Sequence, residues 1–84
     1  MKQIKTTDIT LAYPVSVSGI ETATLSMRRP KVRDMLAGDK RGKTDAEKEI
    51  HIFANLCEVS PEVIEELDMM DYAEVQKAYQ DFLS

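Results

Sequence analysis

Cysteine occurs once in this chain, at Cys57, which excludes an intrachain disulfide and a cysteine-based metal framework and fits a reducing compartment. Histidine is as scarce. His51 has no second histidine and no positioned nucleophile to work with, and metal-ligand spacings, nucleophile–base pairs and Gly-rich phosphate loops are missing too. No apolar run approaches the roughly 20 residues of a membrane span, and residues 1–6 lack the apolar stretch of a secretory signal. A chain of 84 residues buries only roughly 60 to 65% of its unfolded surface, which leaves little room for a deep enzyme pocket. The expectation is a single soluble, intracellular domain over residues 1–84, non-catalytic and without cofactor or metal.

What the chain does have is an opposition between its halves. Residues 1–43 hold nine Lys/Arg against four Asp/Glu, a balance of +5, whereas residues 44–84 hold two against eleven, a balance of −9. Periodicity changes at nearly the same place. In the first half Ile9, Leu11, Tyr13, Val15 and Val17 alternate with polar residues, as on a strand with one buried face. Ala23, Leu25 and Met27 repeat the pattern after Gly19, so a β-hairpin is expected over 9–28. Register constrains its turn, because a two-residue Ser18-Gly19 loop would set odd residues opposite even ones. A three-residue loop Val17-Ser18-Gly19 would instead pair Tyr13 with Ala23, Leu11 with Leu25 and Ile9 with Met27. Pro14 cannot donate to a ladder, so its strand is expected at an edge or with that amide side solvated.

A lone hairpin is marginal in water and needs a cover. A short helix is expected over 30–37, starting at Pro30 and stopping at Gly38, with a loop over 38–43. Thr44-Asp45-Ala46-Glu47 has the spacing of a capping box and opens a helix to about Cys57. Ala46, Ile50, Phe53, Ala54 and Cys57 share one face of it. Ser60-Pro61-Glu62 starts another helix, with Val63, Ile64 and Leu67 on its apolar side. Asp68 can cap a last one, whose stripe runs through Tyr72, Val75, Ala78, Tyr79, Phe82 and Leu83. The fold class is therefore α+β, an N-terminal β-hairpin followed by three to four short helices, the helical part covering 45–83.

Order and spacing over nearly the whole length carry a resemblance. The run Leu25-Ser26-Met27-Arg28-Arg29-Pro30-Lys31-Val32-Arg33-Asp34-Met35-Leu36, the start Asp45-Ala46-Glu47-Lys48-Glu49-Ile50 and the ending Leu67-Asp68-Met69-Met70-Asp71-Tyr72 with Phe82-Leu83 resemble the small tail assembly chaperones of contractile-tailed bacteriophages. Val15-Ser16-Val17-Ser18-Gly19 and Ser60-Pro61-Glu62 fall in matching order. Glu58 departs from the pattern, since such proteins often have a small residue closing that helix. The resemblance implies a chaperone that binds the tape measure protein and keeps it soluble before tail tube polymerisation. It further implies residence in the bacterial host cytoplasm and absence from the mature virion. The family also commonly makes a longer second product by backward ribosomal slippage near the end of the short frame. Asp81-Phe82-Leu83 can be encoded as GAT TTT TTR, a run that permits such a slip; a gene without a slippery heptamer there would remove the expectation. The partners expected are the tape measure protein, that frameshifted longer form and, weakly, a second copy of the chain, with no membrane.

The rival function is that of a small nucleic-acid-binding regulator. Arg28, Arg29, Lys31, Arg33, Lys40, Arg41 and Lys43 place seven cations in sixteen residues, a pattern that can attract phosphates. Against it stand the net charge of −4, the lack of aromatic residues within the cluster and the acidic second half, which repels a polyanion. The same cations could pair with the protein's own acidic helices. His51 falls on a polar stripe with Glu47, Asn55 and Glu58 and reads as solvated, and Cys57 reads as a small buried hydrophobe. Met69 and Met70 cannot both face the same way. On the expectation that the terminal helix and the charged junction meet the client, the candidate partner-binding residues are Tyr72, Tyr79, Phe82 and Leu83, then Arg28, Arg29 and Arg33.

Overall fold

The computed structural model describes residues 6–84; residues 1–5, most of the segment read above as lacking a signal, lie outside them. The chain forms strands β1 (Thr6–Val17) and β2 (Ile20–Arg28), then helices α1 (Val32–Arg41), α2 (Asp45–Cys57), α3 (Pro61–Glu65) and α4 (Met69–Leu83). This is the expected α+β order. One face of the hairpin presents Ile9, Leu11, Val15, Leu25 and Met27 to Phe53, Ala54, Leu56 and Cys57 of α2, to Val63, Ile64 and Leu67 around α3, and to Val75 and Ala78 of α4.

The register differs from the expected one. Ser18 and Gly19 both have positive φ, 52° and 77°, the backbone of a two-residue type I′ turn, and Val17 pairs with Ile20. Near the turn odd residues therefore do oppose even ones, as in Val15 with Thr22, whereas farther out Ile9 pairs with Leu25 and Thr7 with Met27. A bulge reconciles the two. Leu11 to Pro14 lie opposite the single Ala23, and this surplus of three residues on β1 shifts the pairing by an odd number. Leu25 and Met27 thus reach the core, while Ala23 and Tyr13 stay exposed. Near the tip it is Thr22 and Ile20 that join Val17 beside Val59 and Val63.

Two helix boundaries also depart from expectation. α1 begins two residues after Pro30, and it runs through Gly38 to Arg41, so the connection expected over 38–43 shrinks to 42–44. Gly38 is there for proximity rather than termination, because an added Cβ would stand 2.6 Å from Cγ1 of Ile52 and 3.0 Å from the Lys48 carbonyl oxygen. Gly42 is the actual stop. Its extended backbone leaves the helix, its N–H donates to the Gly38 carbonyl at 2.9 Å, and a Cβ would come within 2.4 Å of the Lys48 nitrogen. α2 opens on the expected reciprocal cap, in which the Glu47 N–H donates to Thr44 Oγ1 at 3.1 Å and the Thr44 N–H to Glu47 Oε1 at 3.3 Å. Ala46, expected on its inner face, is exposed. Asp68 caps α4 by accepting from the Met70 N–H.

Glu58 closes α2 in the left-handed conformation, with φ 55° and ψ 44°. A side chain resists that region, where glycine is free. Glu58→Gly is expected to stabilise the fold by about 0.5 to 1 kcal/mol, read as a higher urea midpoint with an unchanged slope.

Candidate protein-binding surface

The aromatic residues expected to meet a partner mostly complete the interior. Tyr72 and Tyr79, two turns apart on α4, flank the fully buried Phe53 of α2, with ring centroids 5.7 and 5.4 Å from it. The Tyr72 hydroxyl donates to Glu49 Oε1, which also accepts from Gln76 Nε2 at 2.9 Å. Burial first, and then this carboxylate, raise the hydroxyl's pKa well above the ordinary tyrosine range. Phe82 packs half-buried against the core beneath the Arg29 guanidinium, whose carbon lies 5.9 Å from the ring centroid. Leu83 alone of the four is presented freely, at 60% exposure.

The arginines divide in the same way. Arg28 is held by Asp34, its Nη1 and Nη2 donating to the two carboxylate oxygens at 3.0 and 2.7 Å. Asp34 also accepts from the Lys31 N–H at 2.8 Å and from Asn55 Nδ2 at 3.1 Å. Four donors meet on one carboxylate that is 1% exposed. The Arg28 hydrogen bonds hold the Asp34 carboxyl below its ordinary pKa against the opposing effect of burial, and Asp34 raises that of Arg28 in return. Arg33 is exposed and makes no ion pair among the described residues.

This node turns α1 inside out. Asp34 and Gly38 are its buried residues, whereas Val32, Met35 and Leu36 face solvent at 70, 50 and 58% exposure. Their i, i+3, i+4 spacing makes one continuous apolar stripe. Beside it Leu36, Ala37, Asp39 and Lys40 line an open groove of roughly 600 Å³. Arg33 and Lys40 border one edge of the stripe, and Asp39, paired with Lys48 Nζ at 3.4 Å, continues its line one turn beyond Met35. Periodicity could not have found this face, because a stripe docked on the core has the same spacing. The available signal was on the opposite side of the helix, where an acid and a glycine sit at the positions a covering helix fills with large apolar groups.

Other features carry less. Met69 and Met70 are both exposed, at the corner where Asp71 of α4 meets the β1 bulge. His51 lines a small cleft of about 240 Å³ with Arg41, Asn55, Val59 and Pro61. Cys57 is buried, which pushes its thiol pKa up to about 11 and leaves it unreactive at neutral pH. No group of three or more His, Cys, Asp or Glu side chains placed to hold a metal occurs among the described residues. No helix among them is long and apolar enough to cross a membrane.

Comparison with protein families matches residues 8–84 to the model of phage tail assembly chaperone proteins, E, or 41 or 14. No curated protein and no solved structure matches the chain.

Proposed function

Since the chain belongs to the phage tail assembly chaperone family, we propose that it binds the tape measure protein and keeps it soluble until the tail tube polymerises. The observation that carries this reading is the inverted helix α1. Exposed Val32, Met35 and Leu36 leave apolar surface in water on a helix whose other face is fixed by the Asp34 node and by the close approach at Gly38. Such a stripe on a rigid seat is a docking face for a second apolar helix, and a tape measure protein is largely helical, with apolar stripes that stay uncovered until the tube encloses it. The role needs no catalysis. It places the protein in the bacterial host cytoplasm during assembly and outside the mature virion, and a longer frameshifted product would carry the same α1 face.

Nucleic-acid binding has less support, because Arg28 and Arg29 of the basic segment are engaged with Asp34 and Phe82. Co-expression with the tape measure protein is the test. The native chain is expected to bring that protein into the soluble fraction and to co-purify with it. Met35→Asp with Leu36→Asp is expected to lower the recovered complex about tenfold or more, since burying each lost side chain is worth about 1.5 to 3 kcal/mol, while the variant's own melting curve stays unchanged. Equal recovery would remove α1 from the interface. Failure of the native chain to co-purify at any salt concentration would remove the function.

A further inference from the structure

The border of the α1 stripe specifies its occupant more closely. At about 100° per residue, Arg33 and Lys40 fall about 60° and 40° from Leu36 in the same rotational sense, so both stand along one edge of the apolar face. They are seven residues apart, about 10.5 Å along the helix. Both are exposed, and neither has an ionic partner among the described residues. Asp39 is different in kind, because it falls within the face, about 20° from Val32, and is already paired with Lys48. The rest of the basic segment is partly spent as well, with Arg28 on Asp34 and Arg29 over Phe82. The uncommitted positive charge next to the stripe is thus concentrated on one side of it.

Resting on the reading of α1 as the client-facing helix, we propose that it recognises an amphipathic helix of the client whose apolar stripe is bordered on one side by carboxylates about two turns apart, read by Arg33 and Lys40. Val32, Met35 and Leu36 supply the contact area, and unbranched Met35 adapts to irregular apolar partners. The two cations supply selection and orientation. A helix with lysines on that border meets like charge at two points, and one lying in the reverse sense brings its uncharged edge to the cations. Charge complementarity favours this occupant over a basic segment. Exposed pairs remain salt-sensitive.

The test uses the full chain and two designed helical peptides that share a leucine stripe and carry either glutamates or lysines two turns apart on one border. At low salt the glutamate peptide is expected to bind about tenfold more tightly, with the difference narrowing as salt rises. Arg33→Glu with Lys40→Glu is expected to reverse the preference without moving the melting temperature. Equal affinities, a preference the charge swap does not move, or binding that survives Met35→Asp/Leu36→Asp would each overturn the proposal. So would failure of both peptides to bind, or a swap whose only effect is on self-association in sedimentation. If the Met35/Leu36 variant loses tape measure solubilisation while the charge swap has no effect, the docking face stands and the acidic border is wrong. If the Met35/Leu36 variant still solubilises that protein, both readings fall.

Discussion

Replacing Asp34 with alanine is expected to destabilise the fold by about 3 kcal/mol, near the lower end of the range for breaking a buried ion pair. Four donors lose their acceptor at once: both guanidinium nitrogens of Arg28, the Lys31 N–H and Asn55 Nδ2. The lower end applies because the Arg28 side chain keeps 24% exposure and can recover some hydration. For a domain this small the loss corresponds to a fall of roughly 12 to 24 °C in melting temperature. Calorimetry or a urea titration reads it directly. Because the node joins the end of β2, the first turn of α1 and the last turn of α2, hydrogen exchange in α1 should accelerate most. Pairing Asp34→Leu with Arg28→Met is expected to recover part of the loss, since no charge is then left unpaired while the Lys31 N–H and Asn55 Nδ2 still lack their acceptor.

The same pair sets a pH dependence. The Arg28 hydrogen bonds hold the Asp34 carboxyl below its ordinary value in the folded state, so the unfolded chain takes up the proton first as pH falls. Its stabilising contribution is complete above the unfolded value and is lost as pH drops through the lowered folded one. Urea midpoints of the native chain and of Asp34→Asn should therefore converge in acid and stand farthest apart at neutral pH. A constant difference across that range would contradict the assignment of the charge to Asp34.

The second large effect lies at Asp71. Its carboxylate, 3% exposed in the first turn of α4, accepts from the Ala12 N–H at 2.9 Å and the Tyr13 N–H at 3.0 Å. Those amides belong to the bulge, where β2 offers them no ladder partner. Asp71→Ala is expected to cost about 2 to 3 kcal/mol, because two charge-assisted bonds are lost and water restores part of them. Asp71→Asn should cost about half as much, since its amide keeps one acceptor but turns a donor toward the second N–H. Hydrogen exchange at Ala12 and Tyr13 is the local readout, and unchanged protection there would show that the carboxylate does not hold the bulge.

Much of the architecture was legible because it rests on local chemistry. The Thr44/Glu47 cap, proline at the start of α3, the Asp68 cap and the alternation of β1 each act within a few residues. A two-residue turn does pair odd with even in this hairpin, and the bulge between Thr10 and Val15 is what restores odd-to-odd pairing farther out. Nothing near Leu11–Pro14 in sequence supplies the acceptor that makes the bulge tolerable; it comes from a helix that begins 55 residues after Pro14. Among the candidate contact residues, Tyr72 and Tyr79 pack their rings against the buried Phe53, and Arg28 turns to Asp34.

Sequence by itself determined the order of elements, most helix caps, most inward residues of β1, α2 and α4 (Tyr13, Ala46 and Leu83 excepted), and membership in a chaperone family. These follow from periodicity, capping and whole-length pattern, which a linear string contains. Tertiary structure alone decided which face of α1 is wet. A stripe at helical spacing records that one side is apolar and not where that side points, and here two distant facts set the direction: a carboxylate that Arg28 and Asn55 draw inward, and a glycine that Ile52 can approach. With those contacts made, Val32, Met35 and Leu36 have only solvent, or a partner, to face.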